Sequence, residues 1–150
     1  MATRSTIALE YADGTVGQIY CHWDGYLDNN GMLLYKNYQD PFKVRRLLDL
    51  GDLSSLHANI GEKHDFDNRS ACEDQCTFYG RDRGETGVAQ KMFKSYEDYV
   101  VNHQHEEYEY ILRRDGQWYV KCHSAAYVPL ADELAEHLRE KAEEAEEALM

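Results

Sequence analysis

Two stretches of the chain are rich in β-branched and aromatic residues, and each folds back on itself at an Asp-Gly pair. Thr6 to Tyr11 and Thr15 to Trp23 flank Asp13-Gly14, and Glu107 to Arg114 and Gln117 to His123 flank Asp115-Gly116. Asp-Gly suits a two-residue type I′ turn, whose central positions need positive φ, so both stretches read as β-hairpins. Counting outward from the first turn places Ile7, Leu9, Tyr11, Val16 and Tyr20 on one face, with Ile19, Cys21 and Trp23 on the other. Both faces carry apolar residues, so neither is freely solvated.

Between and after the hairpins the apolar period lengthens. Residues 24–31 are dense in Asp, Asn and Gly and read as a loop leading to a short helix at Met32-Leu33-Leu34-Tyr35. Pro41 fits a first helical position with Asp40 as its cap. Val44, Leu47, Leu48 and Leu50 follow at helical spacing before Gly51. Ser54 to Ile60 reads as one or two helical turns. Residues 62–90 lack periodicity, and only Cys76 to Tyr79 resembles a strand. Phe93 to Asn102 reads as a short helix. After Pro129, Leu130, Leu134 and Leu138 recur every four positions, marking a helix whose start packs and whose end is solvated. The expected architecture is a single α+β domain spanning 1–150. Its antiparallel sheet comes from two Asp-Gly hairpins, joined by short helices and an acidic C-terminal helix over 131–150.

Composition narrows the function classes. The 150 residues carry 28 acidic and 16 basic side chains, net -12, which opposes binding to a phosphate backbone or an anionic membrane and favours a basic protein surface. Eight acidic and two basic side chains fall in the last twenty residues, so half of the excess charge sits there. No stretch approaches the ~20 apolar residues of a membrane span, and the opening lacks the apolar core of a signal peptide; a cytosolic protein is expected. Cys21, Cys72, Cys76 and Cys122 are then expected as reduced thiols. With His22 and His123 they could make a tetrahedral zinc set. However, adjacent Cys and His on a strand point to opposite faces and Cys72-x3-Cys76 has no matching pair, so buried thiols are the better reading and no metal or cofactor is assigned.

Four strings carry possible chemistry. His22-Trp23-Asp24-Gly25-Tyr26 gathers an imidazole, an indole, a carboxylate and a phenol where a strand becomes a loop. Together with Arg81 and Arg83 in Arg81-Asp82-Arg83-Gly84-Glu85-Thr86, the residues His22, Trp23, Asp24 and Tyr26 could hold a base and its phosphate. His103-x-His105, beside Glu106 and Glu107, could shuttle protons or bind a metal, but it reads first as a solvated connection between helix and strand. Tyrosine stands out with twelve copies, several interleaved with acids. Tyr96, Glu97, Asp98, Tyr99, Glu106, Glu107, Tyr108 and Glu109, joined by Glu140, Glu143, Glu144 and Glu147 of the terminal helix, are the expected surface for a basic partner. No nucleophile with its base and no distinct carboxylate pair emerges, so a non-enzyme is expected.

The run Thr3-Arg4-Ser5-Thr6-Ile7-Ala8-Leu9, then Asp13-Gly14-Thr15-Val16 and Ile19-Tyr20-Cys21-His22-Trp23-Asp24-Gly25-Tyr26, resembles a family of small proteins carried by tailed bacteriophages. Leu50 to Leu56 and Tyr79 to Thr86 look like further blocks of that family, and the resemblance covers most of residues 3 to 120. It implies an infected bacterial cytoplasm as the setting and supplies no catalytic residues. Charge, tyrosines and resemblance together predict an acidic inhibitor of a host or anti-phage defence factor. Such an inhibitor would occupy a basic surface as a nucleic-acid mimic, with self-association possible in principle. The alternatives are a protein that sequesters a nucleotide-like molecule and, behind it, a metal-dependent enzyme.

Overall fold

A computed structural model describes residues 2–67, 74–122 and 126–149, so Cys72 and His123 of the zinc reading lie outside the described residues. Within them the chain builds an α+β fold around one eight-stranded sheet. The strands are β1 (Ser5–Glu10), β2 (Val16–Cys21), β3 (Leu53–Ser55), β4 (Thr77–Phe78), β5 (Lys91–Phe93), β6 (Tyr108–Leu112), β7 (Trp118–Cys122) and β8 (Val128–Pro129). They lie in the order β4-β3-β2-β1-β6-β7-β8, with β5 beside the first half of β2.

The two hairpins share this sheet through a parallel junction of β1 with β6, in which Ile7 lies opposite Tyr110. A second parallel contact joins Cys21 to Leu53, so the sheet is mixed where hairpins alone predict an antiparallel one.

Both hairpins turn through three residues rather than two. Gly14 N–H donates to Tyr11 C=O (2.9 Å) and Tyr11 N–H to Thr15 C=O (2.8 Å); Gly116 to Arg113 (3.0 Å) and Arg113 to Gln117 (3.1 Å) repeat the pattern. This is a type I turn closed by a left-handed glycine, at φ +91° for Gly14 and +81° for Gly116. Only the glycine needs positive φ. The Asp before it stays right-handed and accepts from the residue after the turn, Asp13 from Thr15 N–H (3.0 Å) and Asp115 from Gln117 N–H (2.9 Å).

The extra residue slips the register by one, and because side chains alternate, every residue of β2 changes face. Ile7 therefore opposes Ile19, and Ile19 and Cys21 join Ile7 and Leu9 in the main core, while Val16 joins Ala8 behind the sheet. The expected grouping of Val16 and Tyr20 with Ile7 and Leu9 is corrected by this turn.

The helices are α1 (Met32–Asn37), α2 (Pro41–Asp49), α3 (Tyr79–Arg83), α4 (Tyr96–Asn102) and α5 (Leu130–Leu149). Helix α2 starts as expected, with the Asp40 carboxylate accepting from Phe42 N–H (2.9 Å) and Pro41 at the first position. Ser54 to Ile60 is not helical, because the end of β2 has unpaired N–H groups that this segment satisfies. His22 and Trp23 N–H donate to Leu53 and Ser54 C=O, both at 3.0 Å.

Leu34 of α1, Val44, Leu47 and Leu48 of α2 and Leu130 and Leu134 of α5 cover one face of the sheet with Ile7, Ile19, Tyr110 and Val120. On the opposite face Tyr99 of α4 packs on Ala8, Val16 and Ile111. Helices α4 and α5 are therefore separated by the sheet.

Candidate functional site

Leu130 and Leu134 are both buried, and they fix which way the rest of α5 faces. Residues spaced three and four apart on that helix, Glu133, Glu136, His137 and Glu140, then form one wall of a groove of about 360 Å³. The other walls are Tyr26, Leu27 and Asp28 of the loop after β2, Tyr108 of β6 and Cys122 of β7.

That loop crosses the start of β1 and is tied down from beneath. Gly25 N–H donates to Thr3 C=O (2.8 Å), Tyr110 OH donates to Gly25 C=O (2.7 Å), and the buried Asn30 amide donates to Ser5 Oγ (3.1 Å). A five-residue π-helical turn, Leu27–Gly31, carries it into α1. At its start Asp28 reaches across to α5, where its carboxylate lies 2.5 Å from Lys141 Nζ and 2.6 Å from His137 Nε2.

The groove is electronegative. Lys141 and then His137 hold the Asp28 carboxyl below its ordinary range, while burial first and Glu133 second push the Cys122 thiol up. Burial first, and after it Cys122, Glu107 and Asp28, raise the Tyr108 phenol in the same way. Two tyrosines beside several carboxylates can hold a cation by ring faces and charge together, and two cations of the chain already do so in part, Lys141 on Asp28 and Arg139 on Glu136.

The residues expected to meet a basic partner are divided by the sheet. Tyr108 and Glu140 line the groove, and Glu143, Glu144 and Glu147 lie beyond it on the exposed half of α5, with Glu143 2.6 Å from the Arg139 guanidinium. Glu97 and Asp98 lie on α4, across the sheet, where Asp98 accepts from Lys94 N–H (2.9 Å) and the Asn102 amide (2.7 Å). Tyr96 is half-buried with the Arg113 guanidinium 3.5 Å above its ring. Glu106 accepts from the Gln104 side chain and Glu107 from Arg4 N–H.

Tyr99 and Glu109 are corrected outright, since both lie in the interior. The string of tyrosines and acids runs through a strand buried on both faces, with Tyr110 and Leu112 in the main core and Glu109 and Ile111 behind the sheet, and through α4, which buries Tyr99.

The set read as a binder of a base and its phosphate is not assembled. Trp23 and Tyr26 are exposed, and His22 meets Trp23 edge-on at 4.7 Å with its Nδ1 2.8 Å from Tyr20 OH. Asp24 takes a left-handed φ of +57° in the turn beside them. Arg81, however, faces inward. Its guanidinium donates to the carbonyls of Ile60 (2.9 Å), Gly61 (3.1 Å) and Cys76 (2.8 Å) and to Asp82 (3.0 Å). Arg83 pairs with Glu85 and covers the rings of Phe66 and Tyr79 at 4.4 and 5.0 Å. The Arg81 guanidinium is committed to the fold, while that of Arg83 stays on the surface, turned to Glu85 and the two rings.

His103 likewise departs from the reading of a solvated connection. It is buried at the end of α4, its ring stacked on Tyr99 at 4.3 Å and its Nε2 bonded to Glu109. Of the groove residues, Asp28, Glu133, Glu136 and His137 were not singled out by sequence reasoning. The signal that could have found the last three is their helical spacing beside Glu140. The chain matches no protein-family model, no curated protein and no solved structure.

Proposed function

We propose that this protein is an acidic binding protein, not an enzyme. On this reading it comes from a tailed bacteriophage and inhibits a host or anti-phage defence factor by occupying a basic surface that can otherwise hold nucleic acid. The observation that carries the reading is the groove between α5 and the loop after β2, where Tyr26 and Tyr108 stand beside Asp28, Glu133, Glu136 and Glu140. A lysine or arginine of the partner enters between the rings and the carboxylates. The exposed Glu143, Glu144 and Glu147 extend the field outward and steer the encounter.

The test compares the full chain with its Glu133→Gln/Glu136→Gln/Glu140→Gln variant as bait in lysate of an infected bacterial host. Basic proteins retained by the full chain at low salt, released as salt rises and lost with the variant support the reading. If both baits retain the same proteins, or the full chain retains none that is basic, the reading fails.

A further inference from the structure

Across the sheet from the groove, three side chains converge on one point. The candidate ligand atoms of His103, His105 and Glu109 all lie within 4.8 Å of one another. Glu109 occupies the centre, one carboxylate oxygen bonded to His103 Nε2 and the other 3.2 Å from His105 Nδ1.

The groups around these three are arranged as supports. The Tyr99 carbonyl can only accept, so the 2.6 Å contact to His103 Nδ1 fixes that nitrogen as the donor and turns Nε2 toward Glu109. Tyr127 OH donates to Glu109 at 2.9 Å and lies 2.8 Å from Tyr99 OH, while the Tyr99 ring stacks on His103. A histidine oriented through its second nitrogen by a backbone carbonyl, beside a carboxylate held by a hydroxyl, is the support that metal-ligating residues carry. His103 and Glu109 are buried, whereas the His105 side chain is 60 % exposed, which leaves the cluster open to solvent on one side.

We infer that His103, His105 and Glu109 form a binding site for a divalent transition-metal ion, zinc by its ligand set. Two imidazoles and one carboxylate around an open position is a recurrent zinc arrangement. The ion takes the place of the proton between His103 Nε2 and Glu109 and draws His105 inward. The donors are nitrogen and oxygen only, which separates this site from any set built on the cysteines.

The test is a titration of the chelator-treated full chain with cobalt(II) chloride, followed by visible absorption, with zinc chloride as competitor. One equivalent should bind with a d–d band, free of thiolate charge transfer, that zinc abolishes. His105→Ala removes an exposed ligand, leaves the circular dichroism spectrum unchanged and should weaken cobalt binding at least about tenfold. Tyr127→Phe, which removes the hydroxyl on Glu109, should weaken it by about 10-fold or more. The inference is overturned if no band forms, if the band carries thiolate charge transfer, or if His105→Ala binds cobalt as the full chain does.

Discussion

The docking of α5 shapes the groove, and the structure says what holds it. Two leucines of this helix, Leu130 and Leu134, are buried, while Leu138 is half-exposed and Leu149 almost wholly so. Each buried leucine is worth about 1.5–3 kcal/mol. The Asp28 contacts to His137 and Lys141 involve partly exposed side chains and add at most about 1 kcal/mol. Leu134→Ala should therefore cost about 2–3 kcal/mol, the low end for a core leucine because the site borders solvent.

Most of that cost should appear as local undocking, since the sheet and the other helices keep their own contacts. A loss of 2 kcal/mol raises the undocked population about thirtyfold. Hydrogen exchange read by mass spectrometry should show amides of 131–141 exchanging faster by that order, with those of β1 and β6 scarcely changed. Asp28→Asn should shift the same amides only a few-fold. The reasoning fails if Asp28→Asn matches Leu134→Ala, or if the strands lose protection together with the helix.

Two further predictions concern the frame. Trp118 donates its indole N–H to the Tyr38 carbonyl at 2.9 Å in the core, whereas Tyr119 OH bonds Asp115 at the surface. Trp118→Phe should cost about 1–3 kcal/mol in urea denaturation and Tyr119→Phe less than about 0.5, so equal effects would refute the assignment. For Asp82, burial raises the carboxyl, and Arg81 with the N–H groups of Phe78 and His64 outweighs it, holding the net value below its ordinary range. Its contribution is then complete above the unfolded value near 4 and is lost as pH falls through the lower folded value. Asp82→Asn should be destabilised by about 3 kcal/mol at pH 7, with the gap to the full chain narrowing as pH falls below about 4; a gap that stays constant below that pH would refute it.

The sequence located most elements and missed the feature that arranges them. Asp40 and Pro41 announced α2, the Leu130–Leu134–Leu138 period announced α5, and both Asp-Gly pairs marked real turns. Asp-Gly is compatible with two loop lengths, however, and the choice turned on Asp13 accepting from Thr15, a contact too local for periodicity to reveal. Strand β3 was missed because its reason for being extended lies in the open edge of β2, some thirty residues earlier in the chain. The groove was partly legible, since Tyr26, Tyr108 and Glu140 were singled out, but for different partners. Only the fold brings a loop, two strands and a helix to one place. His103 was misread because a polar run beside acids looks solvated, while the residue that buries it, Tyr99, was itself assigned to the surface.

Net charge counts carboxylates without saying which of them face outward together. Here the sheet sorts them. On the α4 side Glu109 is internal, and Asp98 is occupied in capping its own helix. On the α5 side the carboxylates line a groove and continue along a helix half that is exposed throughout, where Lys141 pairs with Asp28 and Arg139 with Glu136 and Glu143. Tyrosines are sorted in the same way, with Tyr38, Tyr99 and Tyr110 fully buried and Tyr26 left at the rim. If a basic partner is met, the acidic helix supplies long-range attraction that salt can screen, and the two groove tyrosines supply short-range contact that it cannot. The two contributions separate by experiment: neutralising α5 should chiefly slow association, and losing the rings should chiefly hasten release.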